Sequence, residues 1–336
     1  MNKYHLVILG VEWDVYRIAY QDLIDNPRIT YISTFRPRGI KGLFQRIHLN
    51  PFVNRLMHLP GKHMWNASIF KNVKKGKVCF LIMERWLRHE SGMRVLSYLR
   101  THFPDAKIVC FTQDLVETII DKYTHRVLDV DYIKRYADLF ISYDKNDAAR
   151  YGLYYHPTVY SPITIANNPN EPVVDLFFLG RDKGRIPLLV DIAREANRRG
   201  ITCRFLLIGV PKKQRLLCEG VYYLDGQLSY YENLKACAHA RCLLETIQPH
   251  AGSATFRTWE TIMLNRKLLT NNIQIMASDV YDGRYVSVFN DVTDIDWDFI
   301  TTPLIFPDGC NPFQEQIRPE SLVRFIEMQT GITIDR

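Results

Sequence analysis

The sequence predicts an α/β protein made of two doubly wound parallel sheets joined by a linker. Three observations predict it. Short apolar runs, each the length of one buried strand, recur through both halves of the chain. Helical patterns lie between them, as parallel strands require of their crossovers. Polar or glycine-containing clusters follow the runs: Glu12 and Asp14, Glu84, Asp114, Gly180 to Arg185, Gly209, and Glu245 to Arg257. In such sheets ligands sit beyond the carboxyl ends of the strands.

A chain of 336 residues suggests two domains of ordinary size. We place them at 1–166 and 167–336, because residues 157–172, PTVYSPITIANNPNEP, are rich in Pro and Asn and have no period. No segment approaches the ~18 unbroken apolar residues of a membrane span. The opening MNKYHLVILGVEWD meets Glu12 and Asp14 too soon for a signal peptide and reads as a first strand. Seven cysteines without C-x-x-C spacing fit a reducing cytoplasm and no structural metal. The net charge of +7 is unevenly placed: from Pro27 to Met83 there is no Asp or Glu and there are eleven Lys and Arg. A region of one sign attracts anionic partners.

In the first half, residues 6–10 (LVILG) form a strand, a helix runs from about Val15 to Ile24, and residues 28–34 form a second strand. The basic stretch follows. Its residues 40–49 put an apolar stripe at helical spacing opposite Lys41 and Arg46, with Lys74, Lys75 and Lys77 further on. This fits a helix lying in an anionic membrane interface; the bland alternative is a core-packing helix with a solvated basic face. Nucleic acid is not expected, since no zinc spacing, RNP-like run or recognition helix is present. Then come strand 78–83 (VCFLIM), a helix from about Gly92 to Phe103, strand 107–112 (KIVCFT), a helical stretch Tyr132–Ala137, the short strand in DLFISYD, and a helix from Asn146 to Tyr151.

The second half starts with strand 173–179 (VVDLFFL), the turn Gly180-Arg181-Asp182-Lys183-Gly184-Arg185 and a helix from about Ile186 to Arg199. Three cations in a turn after a strand make a phosphate-type environment, without a Walker A or full G-x-G-x-x-G sequence. Strand 203–210 ends in Gly209, strand 222–224 precedes Gly226 and Leu228, and a helix spans Tyr230 to His239. Next is RCLLETIQPHAGSATFRTWETIMLNRKLLTNN: a strand, a small-residue loop, a helix from about Phe256 to Asn265, and strand Lys267–Thr270. That order aims backbone N–H groups and a positive helix end at an anion. Arg257 lies in the first helical turn, where the dipole disfavours a cation, so an anionic ligand would offset the cost; Glu260 shares its face. A late strand at Val286–Phe289 and a helix from Arg318 to Met328 complete the chain, with 314–329 expected to pack back on the first domain.

LFFLGRDKGR, YYLDGQLSYYENLKACAHARCLLE and ETIQPHAGSATFRTWETIMLNRKLLTNN resemble the nucleotide-sugar domain of GT-B glycosyltransferases, and ADLFISYDKNDAARYGLYYHPTVYS resembles the end of the acceptor half in those of bacterial surface-polysaccharide synthesis. The resemblance covers about half the chain, mostly its C-terminal part. It implies two Rossmann-like domains facing a cleft, with capsule, lipopolysaccharide or exopolysaccharide synthesis as the setting. It implies a nucleotide-sugar donor (UDP- or GDP-sugar) and no separate cofactor. Glu260 would bind the ribose hydroxyls, and Gly252, Ser253 and Thr255 the diphosphate. The seven-residue gap between two glutamates in the large retaining families is absent, since position 252 is glycine and Glu245 stands fifteen residues before Glu260.

Glycosyl transfer needs the leaving diphosphate stabilised, here by Arg181, Lys183, Arg185, Arg257 and the helix end at Gly252–Thr255 without metal. The donor's base and ribose would be held through Gly209, Gly226, Leu228 and Glu260, with Glu245 close by. An inverting reaction needs a base; Asp14 and Asp114 are favoured, with Glu84, Glu12 and His89 as further candidates. A glycan or polyprenyl-pyrophosphate-linked acceptor at the inner face of the plasma membrane would suit the basic amphipathic segment. The competing readings are a non-catalytic subunit of a glycan assembly complex and a Rossmann oxidoreductase using nicotinamide.

Overall fold

The computed structural model describes residues 3–33, 39–50, 53, 57, 59–123, 129–165, 173–226, 228–247 and 254–336. The chain divides into two compact units. Unit 1 comprises Met1–Val159 and Pro319–Arg336, and unit 2 comprises Tyr160–Arg318. Much of the expected linker, residues 166–172, lies outside the described residues.

Unit 1 holds β1 (His5–Gly10), β2 (Thr30–Ser33), β3 (Val78–Met83), β4 (Lys107–Thr112), β5 (Leu139–Ser142) and β6 (Tyr154–Tyr155), in the order β2-β1-β3-β4-β5-β6. Every pair is parallel. VCFLIM is buried at every position, because helices cover both faces of a parallel sheet. The order reverses between β1 and β3, the point where such sheets open a crevice. The tip of β1 is tightly packed there. A Cβ on Gly10 would lie 2.1 Å from the Tyr31 ring, and Trp86 Nε1 donates to Gly10 O at 3.0 Å.

Several elements differ from expectation. The helix expected over Val15–Ile24 is two short ones, Asp14–Ala19 and Gln21–Ile24, meeting at the buried Tyr20. The helix expected from Gly92 is broken at Arg94, whose φ of +51° interrupts the ladder between Glu90–Met93 and Val95–His102. The helix Val116–Tyr123 was not expected; Asp147 Oδ2 accepts from the Val116 N–H at 2.7 Å and fixes its start. The helix Gly39–Leu49 forms, but Ile40, Leu43, Phe44 and Ile47 face solvent. Of this stripe only Leu49 is buried in the core, and the other four apolar residues do not pack into it. The C-terminal helix Pro319–Thr330 belongs to unit 1, and the tail pairs with Tyr4 beside β1.

Unit 2 holds β7 (Val174–Arg181), β8 (Cys203–Ile208), β9 (Val221–Leu224), β10 (Ala240–Glu245), β11 (Lys267–Thr270) and β12 (Val286–Val288), in the order β12-β11-β10-β7-β8-β9. All pairs are parallel. The order reverses between β7 and β10. β7 runs through Gly180 and Arg181, so the turn is tighter than expected and centres on Lys183 (φ +47°) and Gly184 (φ +82°). The helix Ile186–Arg198 follows and buries Leu189, Val190, Ala193 and Ala196 on the sheet. Ser229 and Glu232 close a capping box at the start of the helix Tyr230–Ala238. Among the described residues, no helix is long and apolar enough to cross a membrane.

Candidate functional site

In unit 2, Arg185 and Glu245 lie at the strand ends of the β7–β10 switch point, while Gly209 follows β8 and Gly226 and Leu228 follow β9. Arg181 and Lys183 are exposed and form no ion pair among the described residues. Arg185 bridges the two strand ends: its Nη1 donates to Thr246 O at 2.8 Å and to Thr246 Oγ1 at 3.2 Å, and its guanidinium lies over the Phe178 ring. Burial lowers its pKa, against the pull of Asp182 and Glu245. Gly180 packs so close to Phe178 that a Cβ would lie 2.9 Å from that ring. Gly209, at φ +73°, turns the chain at the end of β8, and the space at its missing Cβ and at that of Gly226 is open. Leu228 is half-buried. Gly252 and Ser253 lie outside the described residues.

Glu245, the last residue of β10, is buried among three threonines. Thr255 and Thr258 donate to its Oε1 and Thr270 donates to Oε2. Burial raises its pKa, while the bonds from Thr255 and Thr270 pull it down. Thr255 in turn caps the helix Phe256–Met263, accepting from the Arg257 N–H at 3.1 Å. Glu245 thus fixes, through Thr255, the N-terminal end of that helix, its positive pole.

Arg257 and Glu260 do share a helix face, and they use it on each other. Arg257 Nη1 and Glu260 Oε2 pair at 2.6 Å. Glu260 Oε1 also accepts from Tyr230 Oη at 2.7 Å and Asn233 Nδ2 at 3.1 Å. Tyr230 Oη bonds to Tyr160 Oη at 2.6 Å. The charge of Arg257 is balanced from within the unit by Glu260, because a buried cation needs a partner at hand. Tyr160, Tyr230 and Asn233 were not singled out in the sequence; no local spacing links them to Glu260.

In unit 1 the candidate bases separate. Asp14 is an exposed first-turn residue of its helix. Asp114 is bound by Arg88 in an ion pair. Glu84 follows β3 directly, beside the β1–β3 switch point, and is 2% exposed. Burial raises its pKa, and the Tyr16 hydroxyl bonded to it opposes the shift. Its Oε2 has no hydrogen-bond partner among the described residues. Tyr20 Oη donates to Gln113 Oε1 at 3.1 Å in the same cluster. His89 is pushed down to about 4 by burial and by Arg85, Lys62 and Arg88, so it is the weaker proton acceptor. Arg46, Lys74, Lys75 and Lys77 are exposed, and Lys41 lies on the helix Gly39–Leu49.

No protein-family model and no curated protein matches the sequence. Solved structures share its fold over nearly their whole length. A trehalose-6-phosphate synthase aligns with a TM-score of 0.58 at 11% identity, covering 98% of this chain and 99% of that one. An alpha-glucosyltransferase solved with UDP-glucose and DNA containing an abasic site aligns at 0.55 and 9% identity, over 97% and 98%. A UDP-N-acetylglucosamine 2-epimerase aligns at 0.51 and 11%, over 98% and 97%. At such identities the likeness establishes the fold and leaves the reaction open, since transferases and an epimerase share it. The two six-stranded parallel sheets belong to a GT-B-like fold.

Proposed function

We propose that this chain is a glycosyltransferase that moves a sugar from a nucleotide-sugar donor to a glycan or lipid-linked glycan in surface-polysaccharide synthesis. The observation that carries the reading is the β7–β10 switch point. There Arg185 bonds to Thr246, next to the Glu245 that with Thr255 holds the capped helix end, and Arg181 and Lys183 belong to the same turn. Such a site stabilises a leaving diphosphate by fixed charge and N–H dipoles, without a metal. The Arg257–Glu260 pair acts from behind, holding the helix Phe256–Met263, and Glu260 reaches a ribose on exchange of its Tyr230 contact.

Glu84 is the base we assign. Its place at the end of β3 beside the β1–β3 switch point and its unpartnered Oε2 suit abstraction of a proton from an acceptor hydroxyl. Unit 1 takes the acceptor at the inner membrane face. The exposed stripe Ile40, Leu43, Phe44 and Ile47 supports this, because such a face with neighbouring cations suits an anionic bilayer surface. Sugar transfer from labelled UDP- and GDP-sugars to a membrane fraction tests the reading. Activity lost in Glu84→Gln with donor binding kept is the expected result.

A further inference from the structure

We propose that Lys62, His63 and Arg94 form a binding site for a phosphate group carried on an apolar chain, the head of an amphiphilic acceptor. The inference deepens the acceptor role proposed for unit 1 and rests on it. The three side chains line a pocket of about 290 Å³ together with Pro60 and Gly92. A second hollow of about 220 Å³, reaching Asn66 and Tyr98, shares His63 and Arg94 with it. These volumes suit a phosphate or diphosphate and are small for a whole nucleotide sugar.

The pocket is built for charge. A Cβ on Gly92 would lie 2.7 Å from Lys62 Cδ, so glycine there makes room for the lysine stem. Arg94 stands at φ +51°, a conformation unfavourable for arginine, which points its backbone to this turn. Asn66, fully buried beside the hollow, donates through Nδ2 to Met93 O at 2.6 Å and so fixes the turn that carries Arg94.

Lys62 and Arg94 form no ion pair among the described residues. Asp114 is taken by Arg88. Glu90 accepts from the N–H groups of Val95 and Leu96 at 2.7 and 3.0 Å, and burial pushes its pKa up to about 8. An anion would be drawn in.

The apolar half of the ligand has its place too. His48 follows Ile47 on the helix Gly39–Leu49. Its Nε2 meets Pro60 O at 2.7 Å, and its Nδ1 accepts from Trp65 Nε1 at 3.0 Å. The exposed stripe and the pocket wall are therefore tied together.

The test uses the full chain in an Arg181→Ala background, which weakens anion binding in unit 2. Lys62→Met and Arg94→Gly each remove one cation, and glycine accepts the φ of position 94 freely. Inorganic pyrophosphate is titrated by calorimetry. Flotation compares phosphatidylcholine vesicles with and without phosphatidic acid. Each pocket variant should lose about tenfold or more in pyrophosphate affinity, the value of one charge-assisted hydrogen bond, and Lys212→Met should lose none. Phe44→Ser should weaken binding to phosphatidic-acid vesicles and leave pyrophosphate unchanged. Wild-type affinity in both pocket variants, or an equal loss in Lys212→Met, overturns the site. Pyrophosphate binding without vesicle binding overturns the amphiphile. Nucleoside-diphosphate binding, read separately by thermal shift in chains that keep Arg181, should be unaffected by the pocket variants. Its absence would sink the transferase reading and not this one.

Discussion

Arg257 and Glu260 stand one turn apart on the helix Phe256–Met263 and pair at 2.6 Å, with 11% and 3% of their side chains exposed. The pair ties that helix to Tyr230 and Asn233 on the helix Tyr230–Ala238. Breaking it from one side leaves an uncompensated buried charge, at a cost of about 3–5 kcal/mol. Arg257→Ala and Glu260→Ala should each lower the denaturation midpoint accordingly. Both should also weaken nucleotide binding, because the capped helix end moves. In the double variant Arg257→Ala/Glu260→Ala the loss should fall short of the sum of the singles, which a double-mutant cycle measures.

Burial raises the pKa of Glu84, and the sign of its effect on stability follows. Between the unfolded and folded pKa values the native chain binds a proton that the unfolded chain does not, so stability falls as pH rises through that window. Above the folded pKa the buried carboxylate is a net cost. Glu84→Gln should therefore unfold at a higher temperature than the parent at alkaline pH. At a pH below the unfolded value the two should coincide. Unfolding scans across the pH range check this.

The strands of both units were legible because central parallel strands are buried on both faces and read as unbroken apolar runs; VCFLIM and KIVCFT are the clearest. β6, only Tyr154–Tyr155, has no such run and was missed. The cation turn after β7 was legible as composition, and the switch point gave it a place. That Arg257 and Glu260 share a face was legible from their spacing. Their inward orientation was not, because it is set by Tyr230 and Asn233 on another helix. Lys62 and Arg94 were invisible as a pair, since only the tertiary fold brings them to one pocket.

Thr255 both caps its helix and holds Glu245. Thr255→Ala removes the cap, at about 1 kcal/mol, and leaves Glu245 with fewer donors. Its stability loss should exceed that of a cap alone. Thr255→Ser should restore most of it. Urea titration of the two variants decides the matter.

Lys74, Lys75 and Lys77 are exposed in the acid-free span ahead of β3. Reversing all three to glutamate should reduce flotation with anionic vesicles at low salt. The difference should shrink as salt screens exposed charges beyond about 10 Å at 0.1 M. Binding unchanged at low salt would leave the span without a membrane role.

The most direct test of the central claim is a thermal-shift panel of UDP, GDP, CDP, ADP and NAD, each with and without magnesium. A ligand at about a hundred times its dissociation constant stabilises the fold by roughly 2.7 kcal/mol. We expect one nucleoside diphosphate to raise the melting temperature equally with and without magnesium, and Arg181→Ala and Arg185→Ala to abolish most of the shift. A shift with NAD alone, or with none of the five, would contradict a nucleotide-sugar site at the β7–β10 switch point.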